Sequence, residues 1–463
     1  MGIKQEERVH CSTGENGAVP NPSAWCFGLL FLSLSCFLVA LATFPGNTNI
    51  QSYSSGIFDA DVSRVVGTIT SFADTHWHVG KHPLFQILVT PVSLILAHLP
   101  VNQLTNARLV CVLGIALQTL CIGGIVRAAC PAMRRLSFLA AALFLASFSS
   151  LLFAAIPESC AWSGLSGLLP TWFFLARRCK EVSLSEVLGW GLLLPLSMGY
   201  TITQGVFWFL ALTFRVIMLG IDSGRRACLR GVLMGCLACT FGCFVVWGLA
   251  NLQYMLNPLP PFYQFNPMRG QSAYMRPIAV SSLAPEALLS LVTQMLVYPF
   301  VPPVPGYSDV VKYLGYWSLS FEQLNTTPSD QLWYVDLFRM GVVFLLFGVL
   351  PFAYRAGATA AILILGICSQ LALHLFYGRE FVLYSLNWLG LAVALSVITA
   401  SRFRPAIFRV WLVGVFMAIP LLLAWNFSVL DRALKEVSYG LDAAKRTAEG
   451  APQGPLFSLP GGG

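Results

Sequence analysis

Residues 106–128 read NARLVCVLGIALQTLCIGGIVRA, with Arg108 near one end, Arg127 near the other and no charge between them. A helix of this length covers the roughly 30 Å hydrocarbon core of a bilayer. It must be a helix, because backbone polar groups in lipid have to be satisfied within the segment. Comparable apolar runs, each with at most one charged residue, stand at 26–44, 136–156, 161–175, 184–198, 205–219, 229–250, 337–354, 358–376, 381–400 and 406–425. The composition agrees: 56% of the 463 residues are apolar and 10% charged, too few to clothe such a chain in a water-facing surface. The expected fold class is therefore all-α, a polytopic transmembrane helix bundle of about eleven spans. Its parts are a disordered lead at 1–25, the membrane domain at 26–426 and a tail at 427–463.

The formal charge of +8 does not point to nucleic acid. Arg127 with Arg134 and Arg135, Arg177 with Arg178 and Lys180, Arg225 with Arg226 and Arg230, Arg355, and Arg402 with Arg404 are short clusters between apolar runs. On the eleven-span map all five fall on one side, which the positive-inside rule makes cytoplasmic. One run, 84–99, is interrupted by Pro91 and would reverse every later loop if it crossed, so it is expected to be re-entrant or interfacial. The opposite side receives 45–82, Pro157 with Glu158, 200–204, 251–336 and 378–380, and the apolar run 283–298 is expected to lie along the membrane surface.

Thirteen cysteines, nearly all in or beside apolar segments, give no disulfide framework. Cys236, Cys239 and Cys243 share a helix face, where small residues at a helix contact are a commoner use than a soft metal. Asn325 and Asn426 begin glycosylation triplets, relevant only in a host with that machinery.

The densest ionisable set follows the first span: Gly56-Ile-Phe-Asp59-Ala-Asp61-Val-Ser-Arg64, then Asp74-Thr-His76-Trp-His78-Val-Gly-Lys81-His82-Pro-Leu. A solvated loop with ion pairs is one reading. The other rests on the mixture, carboxylates suited to act as a base beside cations suited to a phosphate.

Asp61-x-x-Arg64 after the first span, Asp74 near Trp77, and Lys81-His82-Pro-Leu opening the next apolar segment resemble the GT-C superfamily of membrane glycosyltransferases. The nearest pattern is the protein O-mannosyltransferase and aminoarabinose transferase branch, where Asp-Glu-x-Arg precedes Lys-Pro-Pro-Leu. Here Ala60 or Val62 replaces the Glu, and His82 the first Pro. The resemblance implies a sugar donor on polyprenyl phosphate or pyrophosphate, a hydroxyl acceptor and inversion at the sugar carbon. It also implies a second acidic site after a later span, here Glu158. Asp61 is then the expected catalytic base, with Asp59 second. Arg64, Asp74, His76, His78, Lys81 and His82 are the expected substrate contacts, joined by Arg269, Arg276, Arg379 and Tyr384 from later loops. No cofactor is required on this reading; Mg or Mn at Asp59 and Asp61 is the alternative. A bacterial inner membrane, with the site facing the periplasm or exterior, is the expected location by analogy. Two rivals remain: a transporter or flippase, which should carry ionisable residues at broken helices in mid-span, and a membrane acyltransferase, whose buried His would have to be His374, here read as interfacial.

Overall fold

The computed structural model describes residues 26, 28, 29, 33, 62–73, 82–178, 181–257, 292–302, 306–308, 318–320, 333–376 and 384–450. Side chains of the strands, of 333–335, 375–376 and those after 435 are outside this description, as are Asp59, Asp61, Asp74, His76, His78, Lys81, Arg269, Arg276, Asn325 and Arg379. Apart from one antiparallel pair, β1 (Gly306–Ser308) with β2 (Ser318–Ser320), the described residues are helical or in turns.

Numbered from the first helix described in full, the order is α1 (Val62–Thr70), α2 (Phe85–Leu96), α3 (Gln103–Ala129), α4 (Leu136–Leu145), α5 (Phe148–Ala155), α6 (Cys160–Ser163), α7 (Leu165–Arg177), α8 (Leu184–Tyr200) and α9 (Gly205–Ser223). Then come α10 (Arg225–Leu256), α11 (Trp333–Phe347), α12 (Gly357–Phe376), α13 (Leu386–Ala400) and α14 (Pro405–Gly450). Among the described residues five stretches are long and apolar enough to cross a membrane: Gln103–Ala129, Ile202–Ser223, Arg225–Leu256, Asp336–His374 and Pro405–Lys435. The pair α4 and α5, bent by 59° at the break, makes a sixth if it is one span. α7, α8 and α13, which the hydropathy pattern reads as spans, are shorter helices of 13, 17 and 15 residues.

α3 is the central post, packed against α4, α5, α6, α7 and α13. Its partners come close because the contacts use glycine: a Cβ on Gly114 would stand 2.6 Å from Ala161 O, and one on Gly164 would stand closer still to Gln118 Oε1 of α3. α10 and α14 lie at the rim and turn Leu233, Leu237, Phe244, Val410, Val413 and Phe416 outward, as lipid-facing helices do. Cys236, Cys239 and Cys243 are on this exposed side of α10. They do not fill a helix contact, contrary to expectation, because the closely packed side of that helix is Gly231, Ala238 and Gly242.

The basic loops meet at one end of the bundle. Arg402 donates to Ala129 O at the end of α3, Arg215 to Arg178 O just beyond α7, and Arg355 lies over Phe352, whose ring meets Phe403 edge-on. Buried among them is the ion pair of Arg215 with Glu186, 2.7 Å at Nε and 3.1 Å at Nη2, with Trp190 Nε1 also donating to the carboxylate.

At the opposite end two expectations change. Residues 45–82, read as a loop, contain α1, whose Val62, Val65, Val66 and Ile69 form a buried stripe at helical spacing. Within the run 283–298, expected to lie along the membrane surface, Met295 is buried in the core, and Phe300 and Val301 just beyond the run are buried with it. The reason is that carbonyls of residues 292–302 are bonded from four sides, by Trp388 to Met295 O, Ser149 N to Pro299 O, Asn426 to Phe300 O, and Arg339 and Trp425 to Pro302 O. Asn426 is fully buried and spends its amide on Ala146 O and Phe300 O, so its triplet presents no glycan acceptor. α14 also runs unbroken past 426, the boundary expected for the tail.

Candidate functional site

α2 has 12 residues, a length of about 18 Å, short of a bilayer core. Its start is tied to the ends of α8 and α10: Leu84 N donates to Gly199 O, and Ile87 N to Gln253 Oε1. Its last turns are tied to the first turn of α3, where Ser93 and Asn106 exchange two hydrogen bonds of 3.0 and 3.1 Å. Both ends of α2 therefore meet the same end of the bundle, the one away from the arginine clusters. α1 lies against it through Thr90 Oγ1 to Thr68 O and Gln86 Nε2 to Ser71 O, which sets Arg64 on the partly exposed part of α1.

His82 stands at the entry to α2. Its Nδ1 is 2.5 Å from Tyr200 O and 3.1 Å from Thr201 Oγ1. A carbonyl only accepts, so Nδ1 carries a proton, which leaves Nε2 as the ring's variable position. Tyr200 in turn lies 5.9 Å from the Trp162 ring, and Trp162 Nε1 donates to Val110 O in α3.

Glu158 occupies the turn between α5 and α6 and is 7% exposed. Oε1 accepts from Ser159 N at 2.8 Å and Ser159 Oγ at 2.9 Å. α3 grips the backbone of this turn along one face: Arg108 Nε donates to Ala155 O, Cys111 Sγ to Glu158 O at 3.8 Å, and Gln118 Nε2 to Ala161 O. Gly114 lies beneath the same turn, and no larger residue leaves room for Ala161 O.

The third wall is the end of α12 with the start of α13. His374 is 1% exposed, with its ring 4.9 Å from that of Tyr384 and 5.3 Å from that of Trp388. It is thus a core residue and not the interfacial one expected. Ser163 Oγ bonds Asn387 Oδ1 at 2.5 Å, and Gln204 Nε2 bonds Gln370 Oε1 at 3.0 Å, both pairs buried. Beyond the helices, burial raises the Tyr298 phenol above the usual range, with Arg339 pulling the other way and Asp336 adding to the rise.

Of the expected site residues, the structure places His82, Glu158, Tyr384 and Arg64 at this one end; the others lie outside the described residues. Among the described residues no group of three His, Cys, Asp or Glu side chains converges to hold a metal ion. Sequence reading missed Arg108, Trp162 and Gln118. Each is a polar or amphipathic residue inside an apolar run, and that rarity is the signal it left.

No protein-family model matches the chain, and no curated protein matches it. Three solved structures of an oligosaccharyltransferase from Archaeoglobus fulgidus overlap it. The form in complex with Zn and sulfate has 13% identity and a TM-score of 0.46, covering 92% of this chain and 56% of that one. The form tethered to an acceptor peptide containing the NVT sequon has 12% identity and a TM-score of 0.45, covering 95% and 61%. The form named AglB, with an inhibitory peptide and a dolichol-phosphate, has 12% identity and a TM-score of 0.42, covering 93% and 58%. The chain thus spans between 56% and 61% of the length of these structures. Overlaps at these scores assign no residue here a role.

Proposed function

We propose that this chain is a GT-C-type membrane glycosyltransferase that moves a sugar from a polyprenyl phosphate or pyrophosphate to an acceptor hydroxyl, with inversion, at the arginine-poor membrane face. The observation that carries this reading is that His82, at the entry to α2, and the buried Glu158, on the turn held by α3, lie at the same end of the bundle, opposite the basic loops, beside a helix too short to cross. A lipid-linked sugar needs its tail among helices and its phosphate near the interface. α2, as an interfacial or re-entrant helix, supplies an edge of that kind.

In the step itself the acceptor oxygen bonds to the sugar carbon, the bond from that carbon to the phosphate oxygen breaks, and the electron pair stays on phosphate. The acceptor's proton passes to a carboxylate. Asp61 is the base in this reading, Asp59 its nearest substitute, and Glu158, bonded by Ser159, the second acidic group. Arg64, Lys81, His78 and His82, with Arg269, Arg276 and Arg379, are the proposed cations around the departing phosphate. No step is routed through a metal. The site faces the periplasm if the host is a bacterium.

A transporter would keep ionisable groups ready in mid-span. What weighs against it is that the buried pair Glu186 and Arg215 closes on itself near the basic end. The test is transfer of a radiolabelled sugar from a polyprenyl-phosphate donor, with donor binding measured beside it. Asp61→Asn should lower turnover by roughly a hundredfold to ten-thousandfold with donor binding preserved. Near-normal turnover of Asp61→Asn and of Asp59→Asn would remove the base, and full activity of the double variant would remove the glycosyltransferase reading.

A further inference from the structure

Arg108 is 4% exposed, sits in the second turn of α3, and makes one hydrogen bond, Nε to Ala155 O at 2.8 Å. Among the described residues no carboxylate pairs with it. The same chain shows what a completed buried arginine looks like: Arg215 has two bonds to Glu186 and one to Arg178 O. Ala155 ends α5, so its carbonyl carries only the partial negative charge of a helix C-terminus and takes one of five guanidinium donors. A buried cation so incompletely compensated is costly and calls for an anion.

Its surroundings say which anion. One helical turn along α3, Cys111 touches Glu158 O, and two residues before it Asn106 is bonded to Ser93 of α2. Arg108 therefore lies between the short helix and the turn bearing Glu158, at the end away from the basic clusters.

We infer that Arg108, with its two Nη groups, is the buried anion-binding group of this site and holds the phosphate headgroup of a polyprenyl phosphate. The assignment rests on the donor proposed above. A planar fork of N–H donors matches two phosphate oxygens at once, which an ammonium does not. Arg108 orients the donor and takes no part in proton transfer.

The bland alternative is that Arg108 only caps α5. Binding of a short-chain polyprenyl monophosphate and of the uncharged polyprenol to full-length protein in nanodiscs, read by native mass spectrometry, separates the two. Wild type should prefer the phosphate. Arg108→Gln should weaken phosphate binding roughly 10- to 100-fold and leave polyprenol binding unchanged, since bonds to a charged group are the stronger kind. Unchanged phosphate binding, or equal loss of both lipids, overturns the inference. If Arg108→Gln does not fold, Arg108→Lys carries the test: it should keep the preference with several-fold weaker phosphate binding, and unweakened binding overturns the fork. Inorganic phosphate is the competitor that separates the two sources of the anion. Displacement by it at concentrations matching the lipid overturns the lipid assignment, and its failure to displace supports it. Failure of sugar transfer by wild type would sink the glycosyltransferase reading alone, because the phosphate preference and its dependence on Arg108 are read without any sugar.

Discussion

Replacing Gly114 by alanine should disable the site while hardly unfolding the protein. The new Cβ would stand 2.6 Å from Ala161 O and 3.0 Å from two atoms of the Trp162 ring. Ordinary contact begins near 3.4 Å, so the backbone at residue 161 must retreat by about 0.8 Å. That retreat takes the Gln118 bond to Ala161 O from 2.7 Å to about 3.5 Å, where it ceases to count. Overpacking of this kind costs about 1–3 kcal/mol, and the better helix propensity of alanine returns about 1 kcal/mol. The net loss of stability should therefore be about 0–2 kcal/mol. Glu158 sits on the same turn, three residues earlier, and under its proposed role as second acidic group a shift near 1 Å is worth on the order of a hundredfold in rate. The assay is thermal unfolding of the purified protein in nanodiscs alongside sugar transfer from a labelled polyprenyl-phosphate donor. A Gly114→Ala protein with wild-type turnover would refute the claim that α3 positions the Glu158 turn.

Three further outcomes follow from the packing. Arg215→Leu alone should destabilise the protein by about 3–5 kcal/mol by stranding Glu186, whereas Glu186→Leu with Arg215→Leu should recover most of that loss in thermal unfolding. Asn426→Leu should cost about 1–3 kcal/mol by freeing Ala146 O and Phe300 O, and in a glycosylating host the wild-type protein should show no gel shift that Asn426→Gln abolishes. Single cysteines at Ser54 and Ser272 should both be labelled by an impermeant reagent from the face opposite Arg226; protection of either would undo the one-sided map of the loops.

The helix positions were largely legible because length and apolarity report directly on the need to satisfy backbone in lipid: every run from 106–128 onward meets a helix. α1 escaped because nine residues with Ser63, Arg64 and Thr70 look polar in a hydropathy window, although Val62, Val65, Val66 and Ile69 already stood at helical spacing. The break between α4 and α5 is held locally, by Ser147 capping α5 and by the Ser147 and Ser150 hydroxyls donating to Phe144 O, and from far along the chain by Asn426 bonding Ala146 O, the part that no local pattern reveals. The insertion of residues 292–302 likewise depends on Trp388, Ser149, Arg339 and Trp425, which no local pattern reveals. In the site, His82 and Glu158 stood out as charges at loop ends. Arg108 did not, because an arginine at the edge of a span ordinarily reads as topogenic, and only its single hydrogen bond distinguishes it.

The most direct test of the central claim uses protein reconstituted into liposomes in one orientation, with a water-soluble short-chain polyprenyl-phosphate sugar and a hydroxyl acceptor supplied to one face at a time. The account predicts glycosylated acceptor only when both are supplied at the face carrying His82 and Glu158. Product formed only from the face of the arginine clusters would contradict it, as would passage of the labelled lipid across the bilayer with no sugar transferred.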